Sequence, residues 1–186
     1  LMPSATFYGY EIGGKKVVET FEGGRVTIIK GSFSDAINEL PVCNMITMNH
    51  VIEHLPDPFQ TIRQLTDKLR PGGYIEGQTP NSDSSERMIF KEGWSGFHSP
   101  RHTVVFSKKG LEIFLERVNL SHVRVTPAFN PAGIAVSLAT LPHGKKSGTI
   151  KRQGIKWLAM LGFSTAFAPL DRLSGKPGII NFIARK

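Results

Sequence analysis

Asn49 to Pro80 reads NHVIEHLPDPFQTIRQLTDKLRPGGYIEGQTP, and its punctuation decides the fold. Leading into it, Asn44 to Asn49 (NMITMN) is a nearly continuous apolar run, the pattern of a strand buried on both faces. Pro58 opens a helix through Leu69, with Phe59, Ile62, Leu65 and Leu69 as its apolar positions. Pro71, Gly72 and Gly73 stop that helix and turn the chain into a second strand, Tyr74 to Thr79. A strand, a helix and a strand in succession form the repeating unit of a parallel α/β sheet.

Working outward, Thr6 to Ile12 (TFYGYEI) is aromatic and apolar and reads as a strand ending in a glycine pair. Lys15 to Phe21 is expected to be a short helix closed by Gly23 and Gly24. Arg25 to Lys30 is β-branched and reads as the next strand, followed by a short helix over Phe33 to Leu40. Downstream, Lys108 to Val118 carries Leu111, Phe114, Leu115 and Val118 on one side of an amphipathic helix. His122 to Ala128 and Ile179 to Arg185 read as the last strands. The expected class is therefore α/β, a Rossmann-like, mainly parallel sheet in one domain over residues 1–186, with a variable helical cap at 127–178 before the last strand.

The ordered pieces of Asn49–Pro80 resemble the class I S-adenosylmethionine-dependent methyltransferases, from their fourth strand to their fifth. The matching features are the Ile52-Glu53-His54-Leu55 turn, the Asp57-Pro58 helix start, the Leu69-Arg70-Pro71-Gly72-Gly73 turn and the strand ending Thr79-Pro80-Asn81. Trp94, Pro100-Arg101-His102 and Phe106-Ser107 are similar to a subgroup acting as ubiquinone-type or glycan-associated O-methyltransferases. The resemblance runs from about Phe7 to Leu120 and implies S-adenosylmethionine as cofactor and a small-molecule, lipid or glycan acceptor, methylated at oxygen.

Ligands of open α/β sheets sit beyond the carboxyl ends of the strands, and three such ends are readable. Glu11 ends the first, where a carboxylate can accept both ribose hydroxyls; the alternative is an exposed strand-end acid. Gly31, Ser32 and Phe33 follow the next, where the resemblance places adenine, with Phe33 against the ring and Ser32 at its edge; Phe33 can equally be core. Asn49 and His50 end the third and would face the methionine part. Glu53 and His54 are expected to bond the loop before the helix.

The family's glycine-rich first loop is expected to be missing at the N-terminal end. A rival assignment puts it at Glu11-Ile12-Gly13-Gly14, but too few residues separate Glu11 from Glu53 to hold two strand–helix units. Glu11 is thus read as the second-strand acid. The first strand of this fold lies between the second and the fourth, so its absence would leave unpaired backbone on both, to be met by an upstream segment or a second copy in a homodimer. Without that loop, cofactor binding by these 186 residues is expected to be weak or absent.

Methyl transfer is an in-line attack on a sulfonium methyl, so the protein mainly positions two reactants and removes a proton from a hydroxyl acceptor. His98 and His102, after the fifth strand, are the candidate bases; the alternative is that both bond loop backbone. His50, Glu53 and His54 also form H-x-x-E-H, a metallopeptidase spacing. That pattern needs both histidines on one helical face, whereas here it straddles a strand end before Pro56, so no metal is expected.

Net charge is +8, which favours anionic partners in general, but no basic stripe is interleaved with aromatics, so nucleic acid is not expected. A single cysteine, Cys43, excludes an intramolecular disulfide, and the N-terminus lacks the pattern of a signal peptide; both fit a cytoplasmic protein. The densest basic stretch, Lys145 to Lys156, precedes an apolar run from Ile155 to Pro169 that is too short and interrupted to span a bilayer. It is expected to cap the substrate pocket, with peripheral membrane contact as the alternative. A non-catalytic scaffold on a decayed methyltransferase fold is the alternative function.

Overall fold

The computed structural model describes residues 4–98, 100–130, 132–140 and 154–186. Among the described residues, seven strands form two sheets: β1 (Phe7–Ile12), β2 (Val17–Phe21) and β3 (Val26–Gly31) in the order β1-β3-β2, and β4 (Cys43–Asn49), β5 (Leu69–Pro80), β6 (Ser121–Pro127) and β7 (Ile179–Arg185) in the order β4-β5-β7-β6. Parallel pairing joins β1 to β3 and β4 to β5; the other pairs are antiparallel, so the α/β class holds with mixed sheets. Among the described residues, β1 and β4 each keep one open edge.

Side-chain caps fix the helices locally. Ser32 accepts from the Asp35 amide at the start of α1 (Phe33–Glu39), and Asp57 accepts from the Gln60 amide ahead of Pro58 in α2 (Pro58–Lys68). Ser84 caps α3 (Ser85–Phe90) and Ser107 caps α4 (Lys108–Arg117) in the same way. Ile62 and Leu65 of α2 and Leu111 and Leu115 of α4 pack with Ile75 of β5 and Phe182 of β7 in one cluster, which Ile37 of α1 also joins. Gly77 permits the tightest approach: a Cβ there would collide with the Met48 carbonyl and press on the Phe182 ring.

Three expectations are corrected. Lys15 to Phe21 contains β2, not a helix: Val17, Val18, Thr20 and Phe21 suit an extended chain, and Val17 to Phe21 closes the edge of β3 in antiparallel register. β4 is not buried on both faces: Met45, Thr47 and Asn49, which share one face, are exposed because no element among the described residues packs on that face, and within the strand Met48 is the buried residue. The Pro71–Gly73 turn lies inside β5, which starts at Leu69 directly after α2; the register jumps there from Cys43↔Leu69 to Met45↔Tyr74.

The C-terminal part holds α5 (Gly133–Thr140) and α6 (Ile155–Leu173), which pack on each other, and α5 also meets α3 and the Ser95–Phe97 turn. Most of the basic stretch, residues 145–153, lies outside the described residues. No helix among the described residues is long and apolar enough to cross a membrane.

Candidate active site

β1 and β3 run parallel with Glu11 opposite Lys30, so Glu11 and the Gly31-Ser32-Phe33 loop lie at the same end of one sheet. Glu11 is exposed, and its carboxylate makes no hydrogen bond or ion pair within the described residues. β2, not a helix, follows Gly13 and Gly14, so that pair lacks the helix N-terminus a phosphate- or cofactor-cradling loop needs.

Gly31 takes φ +144°, and a Cβ there would press against the Lys16 backbone at 3.4 Å. The Tyr10 hydroxyl donates to the Gly31 carbonyl at 3.2 Å, and the Tyr10 and Phe33 rings meet edge to face at 5.9 Å. Phe33 is half-buried and leans on the core, so part of its ring is committed to packing. The Ser32 hydroxyl is committed to capping α1. In kind, these groups fit a nucleoside: a free carboxylate for a diol and an aromatic pair beside a close-approach glycine.

β4 and β5 bring a second set together. Asn49 is exposed and opposite Gln78, and His50 continues past the strand end with its amide donating to the Gln78 carbonyl at 2.9 Å. His50 has φ +54°, uncommon for a residue with a Cβ, and its Nδ1 lies 3.2 Å from Glu53 Oε1. That bond to Glu53 raises the His50 pKa against the opposing effect of burial.

Glu53 is fully buried and organises the site. The Thr79 hydroxyl donates to Oε2 at 3.0 Å, and the Thr103 amide and hydroxyl both donate to the Glu53 carbonyl, at 2.8 and 3.1 Å. Burial pushes the carboxyl up, but the bonds from His50, its own backbone and Thr79 outweigh burial and hold it below the ordinary value. Glu53 therefore ties three segments together: the strand-end loop, the end of β5 and the segment bearing His98 and His102.

That segment presents a row of imidazoles. The His54 and His102 rings meet at 4.6 Å and the His98 and His102 rings at 5.2 Å, both edge to face. His54 Nδ1 lies 3.0 Å from the Arg101 carbonyl and His102 Nδ1 lies 2.7 Å from the Gly96 carbonyl. A carbonyl only accepts, so Nδ1 carries the proton and Nε2 keeps its lone pair in the neutral ring. Burial lowers the His102 pKa more than the Gly96 bond and the Glu53 charge raise it, so the neutral ring dominates at neutral pH. His98 sits in a left-handed turn at φ +30°.

Side chains of Glu53, His54 and His102 bring ligand-type atoms within 4.8 Å of one another. Both Glu53 oxygens already bond His50 and Thr79, so the cluster is a satisfied hydrogen-bond network as it stands. The H-x-x-E-H pattern does not assemble as a helical pair: it spans the end of β4 and the Ile52–His54 turn. Tyr10, Thr79 and Thr103 carry functional geometry that no sequence signal announced. Tyr10 reads as one more aromatic of a strand, Thr79 reads only as the end of the fifth-strand pattern, and Thr103 lies in no motif.

The alternation of strands and helices, with the candidate residues at the ends of parallel strands, matches the class I methyltransferase fold. The chain belongs to the methyltransferase domain family, which it matches over residues 4–125. A tRNA U34 carboxymethyltransferase of Chromohalobacter salexigens is 27% identical over 123 residues, 66% of this chain and 37% of that relative, so the chain spans little more than a third of that protein. A SAM-dependent methyltransferase from Archaeoglobus fulgidus superposes with a TM-score of 0.51 at 20% identity, over 89% of this chain and 69% of that one. Another from Thermotoga maritima gives 0.55 at 14% identity, over 100% and 84%. At these identities the likeness is one of fold.

Proposed function

We propose that this chain provides the acceptor side and part of the cofactor side of an S-adenosylmethionine-dependent methyltransferase acting on a small-molecule, lipid or glycan hydroxyl in the cytoplasm. The observation that carries this reading is the neutral His102 beside the buried Glu53, at the end of the sheet where the family binds its ligands. S-adenosylmethionine supplies an electrophilic methyl group on a positively charged sulfur. Glu11 would accept from the ribose hydroxyls, Phe33 and the Gly31–Ser32 backbone would border the adenine, and Asn49 and His50 would hold the amino-acid end. Methyl transfer would form the O–C bond as the S–C bond breaks and S-adenosylhomocysteine leaves; His102 Nε2 would take the proton of the acceptor hydroxyl, and His98 would flank the acceptor. Helix α5, which meets α3 and the Ser95–Phe97 turn, would cap the same end.

Calorimetry with S-adenosylhomocysteine tests the reading, on this chain and on a version extended at its N-terminus by a strand and glycine-rich loop. The extended version is expected to bind and Glu11→Ala to weaken it. A folded extended version that binds nothing would leave only the non-catalytic scaffold. A nucleic-acid acceptor is a second reading, favoured by the net charge of +8 and the tRNA-acting relative. Fluorescence anisotropy with a tRNA at physiological salt decides it, and absence of binding removes it.

A further inference from the structure

Helix α6 runs for 19 residues, Ile155 to Leu173, or about 28 Å at the usual rise. One side rests on the protein: Ser164 and Ala168 are buried, Trp157 and Leu161 are half-buried, and Asp171 accepts from the Gly178 amide at 2.9 Å. At a hundred degrees per residue, roughly the opposite half of the helix carries Ile155, Leu158, Phe163, Phe167, Leu170 and Leu173. Those six side chains are 83, 64, 51, 43, 60 and 82% exposed, and the Phe163 and Phe167 rings stack at 4.5 Å. An exposed apolar stripe of this length marks a contact surface, since single exposed apolar residues are ordinary but contiguous ones are not.

Charge identifies what covers it. The exposed stripe contains no acidic residue, and the one acid of the helix, Asp171, is turned inward. Lys156 stands in its first turn and Lys176 just beyond its end, and Lys145, Lys146, Lys151 and Arg152 precede it in the sequence. Both ends are basic, so pairing two copies of the stripe, in either direction, sets cations against cations. An apolar stripe with basic ends, on a helix that is not apolar enough to span, suits the boundary between acyl chains and anionic headgroups.

We propose that α6 is a membrane-surface helix, lying flat in an anionic lipid interface with Ile155, Leu158, Phe163, Phe167, Leu170 and Leu173 inserted among the acyl chains. This inference does not depend on the methyl-transfer reading, because it concerns a face of α6 turned away from the rest of the protein.

The test is co-sedimentation of the full chain with phosphatidylcholine vesicles and with vesicles enriched in phosphatidylglycerol. Binding to the anionic vesicles is expected, with weaker binding to the neutral ones and loss of binding as salt rises. Phe163→Ser combined with Leu170→Ser is expected to weaken binding at least about tenfold, from the apolar area withdrawn. A second measurement leaves the stripe intact: an environment-sensitive dye at Ala166→Cys, on a Cys43→Ser background, is expected to shift to the blue when anionic vesicles are added. Absence of binding, binding that ignores the double substitution, or a lipid-free dimer abolished by that substitution would each overturn the proposal; the last would assign the stripe to a second copy.

Discussion

Glu86 offers the sharpest thermodynamic test. It lies in α3, is 3% exposed, and one of its oxygens has no hydrogen-bond partner. The carboxyl sits against Gly133 and Gly178, where any Cβ would strike it, and near Asp171. Burial first and the Asp171 charge second push it from an ordinary 4.5 up to about 7, against the bond from Trp94. The folded state thus binds this proton more tightly than the unfolded state does, and stability falls as pH rises from 4.5 to about 7. Integrated between about pH 5 and about pH 8, the loss is about 2.5 kcal/mol. Urea denaturation of the wild type and of Glu86→Gln at the two pH values measures it. The substitution keeps the shape and removes the titration, so the difference between the two proteins is expected to shrink at acid pH and to favour Glu86→Gln by about 2 kcal/mol or more at alkaline pH. Parallel pH profiles for the two proteins would refute the reasoning, because other titrating groups are common to both.

His102→Gln is expected to lower the turnover of a hydroxyl acceptor by about a hundredfold or more with cofactor affinity unchanged, checked by methyl-transfer kinetics beside calorimetry. Glu53→Gln removes the negative charge beside His50 and turns one of the two acceptor oxygens into a donor, so the His50 and Thr79 bonds can no longer both be kept as they are; a destabilisation of about 1–3 kcal/mol by chemical denaturation is expected, together with a lower His50 pKa by NMR titration. Ser32→Ala removes the α1 cap and is expected to cost about 1 kcal/mol by the same denaturation assay. Gly77→Ala forces a methyl onto the Met48 carbonyl and is expected to cost about 1–3 kcal/mol or more, read as a lowered Tm.

Where local chemistry and tertiary context agreed, the chain was legible. Asp57-Pro58 and the apolar spacing of Ile62 and Leu65 announce α2, and Ser107 with Leu111 and Leu115 announces α4. Lys15–Phe21 was misread because its polar residues mimic a short helix, while the open edge of β3, a fact of pairing rather than of local sequence, draws Val17 to Phe21 into a strand. The apolar run of β4 suggests two covered faces, but coverage depends on what packs on each face, and among the described residues the face bearing Met45, Thr47 and Asn49 stays exposed. At the site, each histidine could be seen, yet nothing in the spacing of Glu53 and Thr103 told that one backbone carbonyl would gather both the amide and the hydroxyl of a residue fifty positions away.

The unpaired edges of β1 and β4 have a measurable counterpart in amide hydrogen exchange. Strands β3, β5 and β7 have partners on both sides, so their amides exchange only when the sheets open. Every second amide of β1 and of β4 points away from the existing partner and, among the described residues, has no second strand to bond. Those alternating amides are a residue-level counter for whatever strand docks beside them: a strand that pairs with both would slow exchange along β1 and β4 at once and turn two sheets into one.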